Sequence, residues 1–335
     1  MNIHEKYMRR CIQLAKNGLG TTAPNPMVGC VIVHQGKIIG EGFTSPYGGP
    51  HAEVNAINSV KEPSLLKNSQ LYVSLEPCSH FGKTPPCSDL IISKKIPMVI
   101  IGIVDSHSKV AGKGIEKMKH EGINVITGIL QEECYQINKR FFTFHNKKRP
   151  YVILKWAQTK DGFLAPLHKD VNSPFWISNQ YSRQLTHKWR SEEMAILVGG
   201  KTIIDDNPSL TTRDYYGKNP IRIIFKNSQH LSKKFKIFEN ADETIFVEKL
   251  VDGTNEDQIQ HLLQSINKEE IISIIVEGGL KTLNLFLNSG VWDEARIFVG
   301  NSFLDKGLPA PELELPTYKM EKILNDQLYV LTNND

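Results

Sequence analysis

The pattern that most constrains this chain is His51-Ala52-Glu53, followed after a strand-sized interval by Pro77-Cys78 and then Pro86-Cys87. One imidazole and two thiolates suit a tetrahedral zinc ion, so the fold must bring residue 51 together with two positions on a later loop. Three protein ligands leave a fourth position for a water that the metal acidifies. Glu53 is then a spare carboxylate beside the metal, placed to carry protons. A His/Cys/Cys site with a Glu that is not a ligand is the arrangement of zinc deaminases acting on nucleobases.

A structural zinc site differs in having a closed shell of four ligands, with cysteine pairs two to four residues apart. Here the cysteines are separated by Ser79-His80-Phe81-Gly82-Lys83-Thr84-Pro85-Pro86. His80 as a fourth ligand would close the shell and leave Glu53 without a task. Three unrelated buried residues are the remaining alternative.

A chain of 335 residues exceeds a typical single core and points to two domains. With 40 basic against 36 acidic side chains the net charge is only +4, and no run of five like charges reads as a nucleic-acid arm. Small phosphorylated molecules need only local Arg and Lys clusters, so the expected partners are small anions. Of the five cysteines, Cys11, Cys30 and Cys134 read as small buried hydrophobes. The charged N-terminal stretch does not resemble a signal peptide, and the aliphatic run Met98 to Val104 is too short to span a bilayer. A cytoplasmic protein is expected.

The spacing predicts an amphipathic helix from Ile3 to Asn17, stopped by Gly18, and a hairpin of Val28–Val33 and Lys37–Gly42 around His34-Gln35-Gly36. A helix from His51 to Val60 would begin at a metal ligand. The strand Leu71–Leu75 leads into the cysteine loop, and Cys87 opens another helix, where the dipole favours a thiolate. The strand Met98–Val104, helix Gly114–His120 and strand Asn124–Thr127 continue the alternation, which implies a central sheet covered on both faces. The hydrophilic stretch His145 to Pro150 reads as a connector, giving domains 1–147 and 148–335.

The second half alternates again. Tyr151–Ala157, Ala195–Val198, Ile221–Phe225, Thr244–Val247, Ile271–Val276, Ala295–Val299 and Leu328–Leu331 read as strands. Ile271–Val276 runs into Glu277-Gly278-Gly279 and then a helical pattern, Leu280 to Asn288. A strand, a glycine turn and a helix N-terminus can receive a phosphate, although an ordinary turn reads the same way in isolation. Arg190 and Arg213 offer planar forks suited to phosphate and Lys155 a point charge, while each could also be a surface charge. Trp176 could equally be core.

Glu76-Pro-Cys-Ser-His-Phe-Gly-Lys-Thr-Pro-Pro-Cys87, His51-Ala-Glu-Val-Asn55 and Pro24-Asn-Pro-Met-Val-Gly-Cys30 together resemble the bifunctional deaminase/reductase family of riboflavin biosynthesis. Leu154 to Gly162, Trp176-Ile-Ser178, Arg190, Gly199 to Arg213 and Val276 to Gly279 extend the resemblance over the second half. It implies an α/β protein with a cytidine-deaminase-like three-layer α/β/α domain followed by a dihydrofolate-reductase-like α/β domain. It implies one Zn²⁺ on His51, Cys78 and Cys87, with Glu53 catalytic. The first-domain substrate contacts it implies are Asn25, Lys83 and Thr84. For the second domain it implies an NADPH cradle from Ala157, Trp176, Thr202, Asp206, Asn227 and Gly279. The sugar-phosphate contacts there are Lys155, Ser173, Arg190, Leu210, Arg213 and Glu277. Lys226-Asn227 stands where the family usually has an aspartate, Val299-Gly-Asn301 lacks a common proline, and Pro174-Phe175 alters the residues before Trp176.

The expected activity is deamination of a free phosphorylated pyrimidine, followed by NADPH-dependent reduction of its ribosyl group, in a homo-oligomer of two or four chains. A nucleic-acid deaminase would need a basic, aromatic-rich groove, which 8% aromatics and little net charge disfavour. A non-catalytic zinc protein would gain nothing from Glu53.

Overall fold

Apolar residues of the first segment recur at helical spacing, and α1 (Ile3–Ala15) turns them inward, with Tyr7, Met8, Cys11, Ile12, Leu14 and Ala15 buried. The computed structural model describes all residues except 1, 80, 82–84, 106–111, 169–174, 228–230, 240–243, 314–317 and 334–335. His80, Lys83, Thr84 and Ser173 therefore lie outside the described residues. The chain divides into two units, Met1–Lys148 and Arg149–Asp335.

In the first unit β1 (Gly29–His34) and β2 (Lys37–Phe43) form the expected antiparallel hairpin, with Gln35 and Gly36 both at positive φ in its turn. Next come α2 (Ala52–Asn58), β3 (Gln70–Leu75), α3 (Cys87–Ser93), β4 (Met98–Ile103), α4 (Lys113–His120) and β5 (Asn124–Thr127). The described strands join in the order β2-β1-β3-β4-β5, parallel from β3 onward. Strands β1, β3 and β4 are buried along nearly their whole length, as strands covered on both faces must be. Helix α2 lies directly on β2, because a Cβ at Gly42 would sit 2.4 Å from the Ala56 nitrogen.

The stretch after β5 departs from expectation. It forms α5 (Gln131–Ile137) and α6 (Lys139–Lys147), so the presumed connector is helical up to Lys147. Both helices turn a narrow stripe inward, with Cys134, Ile137, Phe141 and Phe142 joining the first core.

The second unit contains β6 (Tyr151–Gln158), β7 (Phe163–Ala165), α7 (Gln180–Glu192), β8 (Ala195–Gly199), α8 (Gly200–Asp206), β9 (Ile221–Lys226) and β10 (Thr244–Glu248). It continues through α9 (Asn255–Lys268), β11 (Ser273–Gly278), α10 (Leu280–Asn288), β12 (Glu294–Val299), β13 (Leu308–Pro309), β14 (Lys319–Ile323) and β15 (Asp326–Thr332). Its large sheet runs β10-β9-β8-β11-β6-β12-β15-β14, parallel as far as β12 and antiparallel at β15 and β14. Separate apolar clusters contain alternate residues of the same strands, Val152 and Leu154 in one and Tyr151 and Ile153 in the other, so both faces of this sheet are covered. Strand β11 starts two residues later than the isoleucine run suggests and extends through Gly278, which puts Glu277 on the strand and leaves the turn to Gly279. No helix among the described residues is long and apolar enough to cross a membrane.

Candidate active sites in the two units

His51 is the residue at which the chain enters α2, and Glu53 sits in that helix's first turn. Asn55, one of the motif residues given no role from sequence, holds the entry in place: its Nδ2 donates to the Phe43 carbonyl at 2.8 Å and to Ser45 Oγ at 3.0 Å. Cys78 follows the end of β3, and Cys87 begins α3. His51 Nδ1 stands 3.4 Å from Cys87 Sγ and 3.6 Å from Cys78 Sγ. A tetrahedral zinc with ordinary Zn–N and Zn–S bonds separates nitrogen from sulfur by about 3.5 Å, so the donor set fits the ion. His51, Cys78 and Cys87 are also the group of potential ligands that converges among the described residues.

The electrostatics point the same way. Hydrogen bonding with Cys87 holds the Cys78 thiol well below its ordinary range despite its burial, and His51 and the Cys87 backbone N–H, 3.3 Å from the sulfur, assist. The same interaction drives Cys87 upward, joined by burial and Glu53. Two thiols so close share one proton, and a dication is what allows both to ionise. Glu53 is 4% exposed, and burial, with the Cys78 thiolate adding to it, pushes its carboxyl up to about 7.

The segment carrying Asn25 is fastened by a residue that sequence reasoning left out. Asn138, between α5 and α6, accepts from the Met27 N–H at 2.8 Å and donates to the Met27 carbonyl at 2.9 Å. Nothing in the sequence marks it, because it stands in the polar run Asn138-Lys139-Arg140 and its partner Met27 is 111 positions away.

In the second unit the glycine turns after β8 and β11 lie side by side, because these strands are parallel neighbours. Gly279 has φ +69°, and a Cβ there would sit 2.9 Å from Thr202 Oγ1. A Cβ at Gly199 would likewise sit 2.7 Å from Thr282 Oγ1. Bare backbone and hydroxyls thus line the N-terminus of α10, a place suited to the phosphates of a dinucleotide. Ala157 and Asn227 stand at the same carboxyl edge, towards the end of β6 and just after β9, where ligands of parallel sheets bind. Asp206 closes α8. Trp176 is not core: it is 53% exposed, with the Arg183 guanidinium 5.1 Å from its ring centre.

Lys155 on β6, Glu277 on β11 and Arg190 on α7 converge beside this edge. Arg190 is not the open fork expected from sequence. Its Nε and Nη2 donate to Glu277 at 2.7 and 2.8 Å, and Nη1 donates to the Thr211 carbonyl at 3.0 Å. Lys155 Nζ is 3.7 Å from the same carboxylate. Burial alone would raise the Glu277 carboxyl, but Arg190 and Lys155 outweigh it and hold it at about 2. Arg213 is exposed, with Nη1 donating to Ser209 Oγ at 3.2 Å. Leu210 is buried at φ +55° between them in sequence. His187 and Asp214, which had no role in the sequence reading, meet at 3.4 Å.

Residues 1–103 match the cytidine and deoxycytidylate deaminase zinc-binding region, and residues 150–318 match the RibD C-terminal domain. The riboflavin biosynthesis protein RibD of Aquifex aeolicus is 38% identical, over 93% of this chain and 90% of its own length. That of Escherichia coli K12 is 32% identical over 95% of each. The crystal structure of a diaminohydroxyphosphoribosylaminopyrimidine deaminase/5-amino-6-(5-phosphoribosylamino)uracil reductase from Thermotoga maritima superposes with a TM-score of 0.87 at 37% identity, covering 98% of both chains. With both domains matched in order and relatives this similar along nearly the full length, the chain belongs to the RibD family of riboflavin biosynthesis, joining a zinc-binding deaminase domain to an NADPH-dependent reductase domain.

Proposed function

We propose that the first unit deaminates 2,5-diamino-6-(5-phosphoribosylamino)pyrimidin-4(3H)-one to 5-amino-6-(5-phosphoribosylamino)uracil, and that the second reduces the ribosyl group of that product to ribityl. The observation that carries this reading is the His51, Cys78 and Cys87 donor set at tetrahedral spacing beside the buried Glu53. Zn²⁺ held there by His51, Cys78 and Cys87 would supply Lewis acidity and acidify a water. Glu53, buried beside that donor set, would be the group that accepts a proton there and passes it to the substrate amino nitrogen that leaves as ammonia. Asn25, Lys83 and Thr84 are assigned to substrate contacts by family resemblance.

NADPH supplies the hydride for the second reaction, and the chain's part is to hold the partners. Thr202, Gly279, Ala157, Trp176, Asp206 and Asn227 are assigned to the cofactor. Lys155, Glu277, Leu210, Arg213 and Ser173 are assigned to the sugar phosphate. Arg213, exposed and only partly engaged, is the better phosphate fork, and Arg190 serves by fixing the Glu277 carboxylate. The free cysteines fit a reducing, cytoplasmic setting. A homo-oligomer belongs to the same proposal, supported by the outer strand β14, whose Met320 is 51% exposed.

Incubation of purified protein with the diaminopyrimidine alone, and with the deaminated product plus NADPH, tests both halves. Ammonia release in the first and NADPH oxidation in the second are expected. Turnover of neither substrate would refute the proposal.

A further inference from the structure

Glu76 stands two residues before Cys78, and its backbone N–H donates to the Ile103 carbonyl at 3.0 Å, prolonging the pairing of β3 with β4. Its side chain is 4% exposed and accepts four backbone N–H groups. Oε2 takes those of Asp105 at 3.3 Å and Gly112 at 3.0 Å, and Oε1 takes those of Gly114 at 3.2 Å and Ile115 at 3.4 Å. One carboxylate therefore joins the segment after β4 to the N-cap and first turn of α4. At Gly114 the helix rests on the peptide that precedes the metal ligand, since a Cβ there would sit 2.4 Å from the Pro77 carbonyl oxygen. Further along α4, Lys117 pairs with Asp89 of α3, the helix that Cys87 opens. Helix α4 thus braces the chain on both sides of the cysteine pair.

We infer that Glu76 is a positioning residue for the metal centre: by anchoring the N-terminus of α4 with both oxygens, it sets the spacing of the Cys78 and Cys87 sulfurs. This rests on the reading that His51, Cys78 and Cys87 hold the zinc. A carboxamide at position 76 accepts with one oxygen only and turns an NH₂ towards two N–H donors, so the first turn of α4 must shift. Outer partners that orient ligands in this way carry about 10- to 100-fold in metal affinity.

The test uses full-length wild type, Cys87→Ala, Glu76→Gln and Gly114→Ala, each stripped of metal. Cobalt(II) titration reads the thiolate-to-cobalt charge-transfer band, and competition with a chromophoric chelator reads zinc affinity. Reductase activity reports whether the second unit remains folded. The wild-type band should be lost in Cys87→Ala, and Glu76→Gln should shift or weaken it while zinc binds about 10- to 100-fold more weakly. Gly114→Ala leaves the carboxylate in place and presses on the Pro77 carbonyl, so it should perturb the same band and decides the matter if Glu76→Gln does not fold. Wild-type bands and zinc affinity in both variants, with only a lower melting temperature, would make Glu76 a helix cap and overturn the inference. A wild-type band indifferent to Cys87→Ala would overturn the ligand reading beneath it.

Discussion

Two influences compete at Glu53. The N-terminal dipole of α2 favours a carboxylate by about 0.3–1 kcal/mol, while burial and the neighbouring Cys78 thiolate disfavour it more and push the group up to about 7. A carboxyl so poised can both take and return a proton near neutral pH. Glu53→Gln keeps the shape and removes this exchange. Its zinc content should be unchanged, its deamination rate should fall by roughly two to four orders of magnitude, and reduction of supplied product should persist. Near-normal deamination by a zinc-loaded variant would exclude Glu53 as the proton carrier. The place of Glu53 beside the donor set was legible in the sequence, because three ligands in an open pattern leave one carboxylate over. The commitment of Arg190 was not, because its partner Glu277 is 87 positions away and only the fold pairs them.

Helix α7 gathers Arg183, His187 and Arg190 at helical spacing, and His187 lies among the charges of the second site while remaining 1% exposed. Burial, then Arg190 and Arg213, keep its imidazole neutral down to about 4, against the pull of Asp214. The ordinary value is 6.5, so on acidification the unfolded chain takes up the proton first. The contribution of neutral His187 is therefore complete above about pH 6.5 and is lost as pH falls towards 4, by at most about 3 kcal/mol. Denaturant unfolding of the second unit's transition at pH 7 and pH 4.5 should show a smaller acid loss in His187→Leu than in wild type. Equal losses would contradict it. Elements with strong periodicity, such as α1, α10 and the β1–β2 hairpin, were legible to within a few residues. Helix α5 was not, because only Cys134 and Ile137 of its residues are buried. Strand β14 was hidden for a related reason: its exposed Lys319-Met320-Glu321-Lys322 has no alternation and is held by pairing with β15.

At the scale of the molecule, alternating strands and helices announce parallel sheets, but not their strand order. The sequence neighbours β10 and β11 stand three places apart in the second sheet, and β6 lies between β11 and β12. That order makes the glycine turns after β8 and β11 adjacent, and it puts Lys155 beside Glu277, so the second site is a product of topology more than of motif. The first site is the reverse, a motif that dictates what the topology must bring together. On this reading one chain carries two independent chemistries, of which only the first uses the metal. Removing zinc with a chelator, assaying both reactions on the same preparation and then restoring one equivalent of Zn²⁺ tests this most directly. Deamination should disappear and return with the metal while NADPH-dependent reduction of supplied product continues throughout; deamination by verified metal-free protein, or loss of both activities from protein that remains folded, would overturn it.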